Sequence, residues 1–366
     1  GVAPAMLRPN AGVRADVVTF GVLAKDLGQV NLMDNTYFAD LVLTLQWRDQ
    51  RAAELAVDLG VEHVTLSQDE ASQNIWMPDI KVTNRDIQCE DIISTAVTID
   101  ATGGVTKVQR VAHTLKTPYV ARDFPFDQQA LDVLVGSTVY MSDELQLLPS
   151  AVSEVQGVGP RASLPDFEIM GARASAFVEE DASLRKSRGQ LAVLVERRSQ
   201  PLVLTLLVPE LLVLAIGVSV FWFPLAGPFA MPRVSTAIVA YLSFTMLAGR
   251  TTTYIPPKGG LVWMDMWETS CQFLLLLVLG LNLFVLLVFH SYGMKGMAQD
   301  FNKDLRTYVC IVCAIALGLS YSCRGSENLA FVTALIVGGI TVFGAAYTAG
   351  NARRVTQAKA AGVTES

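Results

Sequence analysis

Charge is scarce in this sequence, and histidine and cysteine are scarcer still. Charged residues make up 17% of the 366, with three histidines and five cysteines. So little charge beside 51% hydrophobic residues excludes a disordered chain and separates this one from ordinary soluble proteins. Basic residues number 28 against 34 acidic, net −6, which excludes a general basic footprint for nucleic acid. His63, His113 and His290 lie far apart, and no phosphate loop, HExxH or Gly-x-Ser-x-Gly occurs. Without a nucleophile–base pair or a metal constellation, no covalent chemistry is expected and the chain does not read as an enzyme. Cys310 and Cys313 have no second ligand pair nearby. They read, with Cys271 and Cys323, as buried or lipid-facing thiols, and Cys89 is the single cysteine of the first half. No basic and apolar leader precedes Gly1, so any signal peptide is expected to be gone already.

What is present divides in two. Residues 1–200 carry 18 basic and 27 acidic side chains, net −9, and residues 201–366 carry 10 and 7, net +3. The first half reads as β, with alternating runs at 17–23, 37–47, 61–66, 92–99, 105–115, 131–141, 165–178 and 189–196. Turn signals such as Asp100-Ala101-Thr102-Gly103-Gly104 separate them. Strands at this spacing predict an antiparallel sandwich, with one weak helical stretch near the N-terminus. The second half offers five apolar spans, at about 201–223, 232–254, 261–290, 305–322 and 329–349, each long enough for a hydrocarbon core of about 30 Å. Arg233, then Lys295, Lys303 and Arg306, then Arg353, Arg354 and Lys359 all fall on one side if the β domain lies outside. The organisation expected is an outer domain over 1–199, a membrane domain over 200–350 and a cytoplasmic tail over 351–366.

The second span differs from its neighbours. Steps of three and four from Ser235 collect Ser235, Val239, Leu242, Met246, Gly249 and Thr253, a face polar or small at its ends and apolar between. A ring of such helices would enclose a pore with a dewetting constriction at Val239, Leu242 and Met246. The competing reading is a packed helix whose hydroxyls bond their own backbone. Glu210, inside the first span, is expected to face protein or water, pairing with a neighbouring helix or titrating. Asn282, in the third span, is expected to make a helix–helix hydrogen bond.

Several motifs bear on that choice. Trp76-Met77-Pro78-Asp79 followed by Asn84 resembles the Trp-x-Pro-Asp segment of pentameric ligand-gated ion channels, the Cys-loop receptors. Trp47-Arg48-Asp49-Gln50-Arg51 resembles their Trp-x-Asp-x-Arg strand end. Phe124-Pro125-Phe126-Asp127-Gln128-Gln129 resembles the core of their signature loop. Pro209 follows Arg197 by twelve residues, Pro232-Arg233-Val234 looks like the start of the pore helix, and Leu242 matches its central leucine. Ile255-Pro256 to Asp265-Met266-Trp267 looks like the linker and third-helix start of the glycine-receptor branch. The matches keep the family's order over about residues 14–290. The family's paired cysteines would fall at Thr117 and Leu131, so the disulfide is missing, as in bacterial and some other non-animal members. The fifth span departs from the usual four.

The resemblance implies an outer β-sandwich above a helical membrane bundle, in a homopentamer around a central pore. Four identical subunits, membrane lipids, permeant ions and a small-molecule or ionic agonist are the implied partners, in a plasma or bacterial inner membrane. It implies coupling through Asp34, Phe124, Pro125, Asp127, Arg197, Pro256 and Lys258, with Asp127 facing Arg197 and Asp34 near the 252–258 linker. Selectivity is assigned to Pro232, Arg233 and Arg250: no acid precedes Arg233, and neutral or positive rings favour anions. The acidic outer domain argues for cations, so a cation channel stays open, as does a non-conducting receptor or scaffold of the same architecture. The positions of the aromatic cage read Val42, Thr83 and Thr138, which removes a site for quaternary amines. Thr83, Thr138, Tyr140, Phe177, Glu179, Glu180 and Asp181 are the candidate ligand residues. No cofactor is expected beyond a modulatory calcium ion on Asp143-Glu144 or Glu179-Glu180-Asp181.

Overall fold

The computed structural model describes residues 7–86, 91–254 and 260–360, Asp91 by its backbone alone. The chain forms two compact units, one of residues 1–120 and 128–198, the other of residues 121–127 and 199–366.

The first unit is a two-sheet β domain. One sheet holds β1 (Asp16–Asn31), β2 (Thr36–Arg48), β3 (His63–Leu66), β5 (Asp91–Asp100), β6 (Gly104–Lys116) and β8 (Leu145–Pro149) in the order β3-β5-β6-β2-β1-β8, with β9 (Gly157–Val158) also on β1. The other has the order β10-β11-β7-β4, from β4 (Ile80–Val82), β7 (Gln128–Ser137), β10 (Phe167–Asp181) and β11 (Leu184–Arg197). Burial alternates along β7 and β11, as a strand with one face on a core requires. Phe20, Tyr37 and Leu41 of one sheet share a buried cluster with Leu131, Val133, Leu191 and Val193 of the other, so the sandwich is held by its inner faces. The buried Tyr37 hydroxyl donates to Asp132 O at 2.8 Å, which ties the sheets together without leaving a polar group unpaired. Burial and the nearby charge of Asp132 push its pKa up.

The turns follow local chemistry. Asp100 Oδ1 accepts from Thr102 N at 2.7 Å, Thr102 Oγ1 at 2.6 Å and Gly104 N at 3.0 Å, and these bonds lower the Asp100 pKa. Gly103 sits at φ +85, and a Cβ there would lie 2.9 Å from Asp49 O, so both its conformation and its space call for glycine. β7 ends at Ser137 because its hydroxyl takes the N–H groups of Val139 and Tyr140. The expected strand to 141 is shortened for that reason.

Two features differ from the sequence reading. The N-terminal residues described form turns, and the α-helices among the described residues of this unit are α1 (Ala53–Asp58) and α2 (Gln68–Asn74). Both are too short to show a periodic apolar face. α2 is instead started by a capping box, in which Ser67 N and Ser67 Oγ donate to Glu70 and Glu70 N donates to Ser67. Residues 121–127 also leave the outer unit for the helical one, because Phe124 is fully buried in the helical core and Phe126 packs against it.

Among its described residues the second unit contains five helices long and apolar enough to cross a membrane: α3 (Gln200–Trp222), α4 (Gly227–Thr253), α5 (Trp263–Ser291), α6 (Lys295–Ser322) and α7 (Leu329–Ala360). α5 is the centre of the bundle. Half of its most apolar window is buried, against 17% to 33% for the others. Trp263, Leu274, Leu275, Val278 and Val285 line its core with Phe221 of α3 and Phe244 of α4. A π-turn at Val203–Leu207 precedes Pro209, whose missing N–H interrupts the regular helical ladder. α6 starts ten residues before the apolar run, because Met294, Ala298, Phe301, Leu305 and Val309 continue one buried face. α7 runs through residues 351–360 without a break, its buried face extended by Asn351 and Val355.

Candidate pore, coupling loop and ligand patch

Every residue of the sequence-predicted pore stripe lies on an exposed face of α4. Ser235, Gly249 and Thr253 are exposed, with Val239 at 58%, Leu242 at 56% and Met246 at 80%. Ala237, Ala240, Phe244 and Ala248 form the buried face, packed toward α3 and α5. The hydroxyls of Ser235, Thr252 and Thr253 donate to carbonyls of their own helix at 2.7 to 3.0 Å. This satisfies the hydroxyl proton while the oxygen still faces outward as an acceptor.

The two ends of α4 contrast. Pro232 and Arg250 are exposed. Arg233, expected beside them as a selectivity charge, is fully buried. Its Nε donates to Asn282 Oδ1 at 3.0 Å, and its two terminal nitrogens donate to Phe223 O at 2.7 Å and Asn302 Oδ1 at 2.9 Å. Asn302 Nδ2 in turn donates to Phe221 O at 2.8 Å, which also accepts from Arg306 Nε at 3.0 Å. The correction has a physical reason. Three fixed oxygens match the guanidinium fork, and they turn the side chain into its own bundle, away from the stripe. Asn282 makes the helix–helix bond expected of it. Asn302 was missed because it precedes the apolar run, although the periodic face from Met294 onward reaches it.

Glu210, 1% exposed, accepts from Trp267 Nε1 at 3.0 Å, which joins α3 to α5. The next residue of α5, Glu268, accepts from the Thr251 hydroxyl at the end of α4.

The predicted coupling residues fall in both units. In the outer unit, Asp34 sits in the β1–β2 turn and accepts from Asn31 Nδ2 at 2.7 Å. The Arg197 guanidinium lies 4.4 Å from the centroid of Phe167. In the helical unit, Phe124, Pro125 and Asp127 are buried. Phe124 stacks on Tyr254 at the end of α4 with centroids 6.4 Å apart, and Trp263 N donates to Arg122 O at 2.7 Å. Pro256 and Lys258 lie outside the described residues.

The candidate ligand residues gather around β4, the end of β7 and the β10–β11 hairpin. The Thr138 hydroxyl donates to Asp79, which also pairs with Lys81 at 3.5 Å, and Thr138 O accepts from Lys186 Nζ at 2.7 Å. Thr83 N and Oγ1 both donate to Leu134 O. Tyr140 accepts from Trp76 Nε1 at 3.1 Å, and Trp76 meets Trp47 edge-on at 6.2 Å. Trp47 and Trp76 are core residues, 6% and 2% exposed, so this aromatic cluster forms no open cage. Phe177 is 40% exposed on β10. The acidic run beyond it belongs to a hairpin: Glu179 pairs with Arg188 at 2.6 Å and Glu180 with Arg185 at 2.9 Å, while Asp181 sits beside the tip. Those arginines already occupy carboxylates that a calcium ion would need. Among the described residues no three His, Cys, Asp or Glu side chains gather as a metal site. The patch is thus an alternation of Asp79, Lys81, Lys186 and two acid–arginine pairs.

Alternation along β6 puts Lys107 on the inward face with Val105, Val111 and Leu115, but a lysine is so rarely buried that its charge hides this placement in the sequence. Lys107 is 6% exposed. Burial lowers its pKa, the nearby Asp79 works in the opposite direction and Lys81 adds to the lowering. The folded form therefore holds this proton less tightly than the unfolded one, and stability rises with pH below the ordinary lysine value of 10.5. Lys107→Met is expected to stabilise the protein by about 1 kcal/mol at pH 7. The gain should shrink as pH climbs toward 10.5, which thermal melts across pH 7 to 10.5 would read. A gain that grows with pH would reverse the sign argued here.

Residues 5–191 match the family described as "Neurotransmitter-gated ion-channel ligand binding domain". The chain is 24% identical over 268 residues to a gamma-aminobutyric acid receptor subunit beta of Caenorhabditis elegans, covering 72% of this chain and 48% of the relative. It is 26% identical over 237 residues to a proton-gated ion channel of Gloeobacter violaceus, 63% of each chain. It is 23% identical over 216 residues to the pH-sensitive chloride channel 2 of Anopheles gambiae, covering 54% of this chain and 33% of the relative. The chain spans about half the length of several of the curated relatives it matches.

Proposed function

The chain belongs to the neurotransmitter-gated ion-channel family, and on that premise we propose that it is one subunit of a homopentameric ion channel whose outer domain binds the stimulus and whose α4 lines the pore. The observation that carries this reading is the exposed stripe of α4. α4 is the least apolar of the five spans, with a mean hydropathy of 1.2, and Val239, Leu242 and Met246 stand out from the subunit in register with the small or polar Ser235, Gly249 and Thr253. Four further copies around an axis facing that stripe would enclose a lumen with polar ends and an apolar middle.

The stimulus proposed is protons or a small charged ligand at the outer patch. Among the described residues Trp47, Trp76 and Tyr140 pack on one another rather than opening as a cage, which argues against quaternary amines. Two relatives are named for their response to protons or pH. The current proposed is carried by anions. With Arg233 buried, that assignment rests on the exposed Arg250, on the lack of an acid at Ala230-Met231-Pro232, and on a relative named as a chloride channel.

The test is current through the protein in a bilayer during a pH and calcium sweep, with chloride and sodium gradients set in opposition. A gated current reversing near the chloride potential is expected. Reversal near the sodium potential would keep the channel and overturn the anion assignment.

A further inference from the structure

We propose that the turn between α6 and α7, residues 323–328, clamps the 121–127 loop and sets how that loop acts on the pore helix. Arg324 is the positioning residue. The inference rests on the channel reading above and goes beyond it, because the turn exists only through the fifth helix.

The loop presents two aromatic rings to different partners. Phe124 stacks on Tyr254, which directly follows the last turn of α4. Phe126 sits in a box of its own. Trp263 of α5 meets it edge-on with centroids 5.4 Å apart, Tyr321 of α6 meets it edge-on at 6.3 Å, and the Arg324 guanidinium lies 4.5 Å from its centroid. Arg324 also lies over the Tyr321 ring at 5.1 Å. One residue further on, Gly325 N donates to Asp123 Oδ1 at 3.0 Å, and Arg122 Nε lies 3.8 Å from the same oxygen. Gly325 has φ +83, the left-handed conformation that lets the chain reverse here.

The box is framed from behind. Trp263 N donates to Arg122 O and Trp263 Nε1 donates to Ser320 O, both at 2.7 Å. A single α5 residue thus ties the loop to the last turn of α6. A four-helix chain ending at α6 could supply Tyr321, but the returning turn adds a cation on the ring face and an N–H on the loop carboxylate. Cation–π contact and a charge-assisted hydrogen bond hold position as well as contributing energy. With the Phe126 side fixed, displacement of the loop is delivered through Phe124 to Tyr254 and so to the end of α4.

Two measurements on the full chain in nanodiscs test this separately from the channel reading. The first needs no current: amide hydrogen exchange over residues 121–127. Arg324→Ala is expected to speed it about fivefold, with Arg324→Lys closer to wild type. Unchanged exchange would overturn the clamp. The second is open probability in a Leu242→Ser background. Arg324→Ala and Asp123→Ala are each expected to shift it about fivefold, to be non-additive together, and to leave unitary conductance and reversal potential unchanged. Faster exchange with open probability unmoved would overturn the coupling role. Absence of current from surface-expressed Leu242→Ser would count against the channel reading itself, and exchange would still decide the clamp.

Discussion

Leu242→Ser is expected to produce a large spontaneous current, at least about tenfold above wild type without any added stimulus. Leu242 is 56% exposed and occupies the middle of the α4 stripe. In the proposed pentamer five copies of it form the narrowest apolar belt, with Val239 and Met246 one turn to either side. A narrow apolar belt stays closed because water gains nothing by entering it. Serine removes the apolar side chain and puts a donor and two acceptors in its place. Burying a leucine is worth about 2 kcal/mol, so five substitutions supply far more than the 1.4 kcal/mol that makes a tenfold shift. Patch recordings from cells with verified surface expression would read it. Wild-type-like silence in that variant would favour a non-conducting receptor of the same architecture.

The parts of the fold written in periodic patterns were legible, and the parts written in single contacts were not. Alternation along β7 and β11 and the apolar spans give both architectures. The stripe from Ser235 to Thr253 comes from helical spacing alone. Short elements escape because so few residues cannot display a period: β4 has three, β8 five, β9 two and α1 six, and α2 is marked only by Ser67 and Glu70. The site is legible unevenly for a similar reason. Phe124 and Asp127 stand in a recognisable run, yet nothing in sequence says that Phe126 will meet Arg324, almost two hundred positions later. The acidic run Glu179-Glu180-Asp181 resembles a cation site until β10–β11 register sets Arg188 and Arg185 beside it. Arg233 misled because position along a helix is not direction around it: it lies two residues before Ser235, on the side that faces α5 and α6.

That last difference yields the second large effect. Arg233→Met should destabilise the membrane unit by about 3 to 5 kcal/mol while leaving ion preference alone. The substitution relieves a buried charge, which by itself would favour the variant. It also strips donors from Asn282 Oδ1, Asn302 Oδ1 and Phe223 O at once, and each orphaned acceptor costs about 1–3 kcal/mol where no water reaches it. The orphans outweigh the relief. Arg233→Lys keeps the charge and can reach only part of the cradle, so it should fall between the two. The thermal midpoint in detergent and the surface expression of both variants measure the cost, and reversal potential under opposed chloride and sodium gradients measures selectivity. A selectivity charge and a structural tie separate cleanly here. If Arg233→Met remains folded and its reversal potential moves toward sodium, the guanidinium acts on the permeating ion. If stability falls and reversal stays in place, anion preference must come from Arg250 and from the uncharged mouth at Pro232.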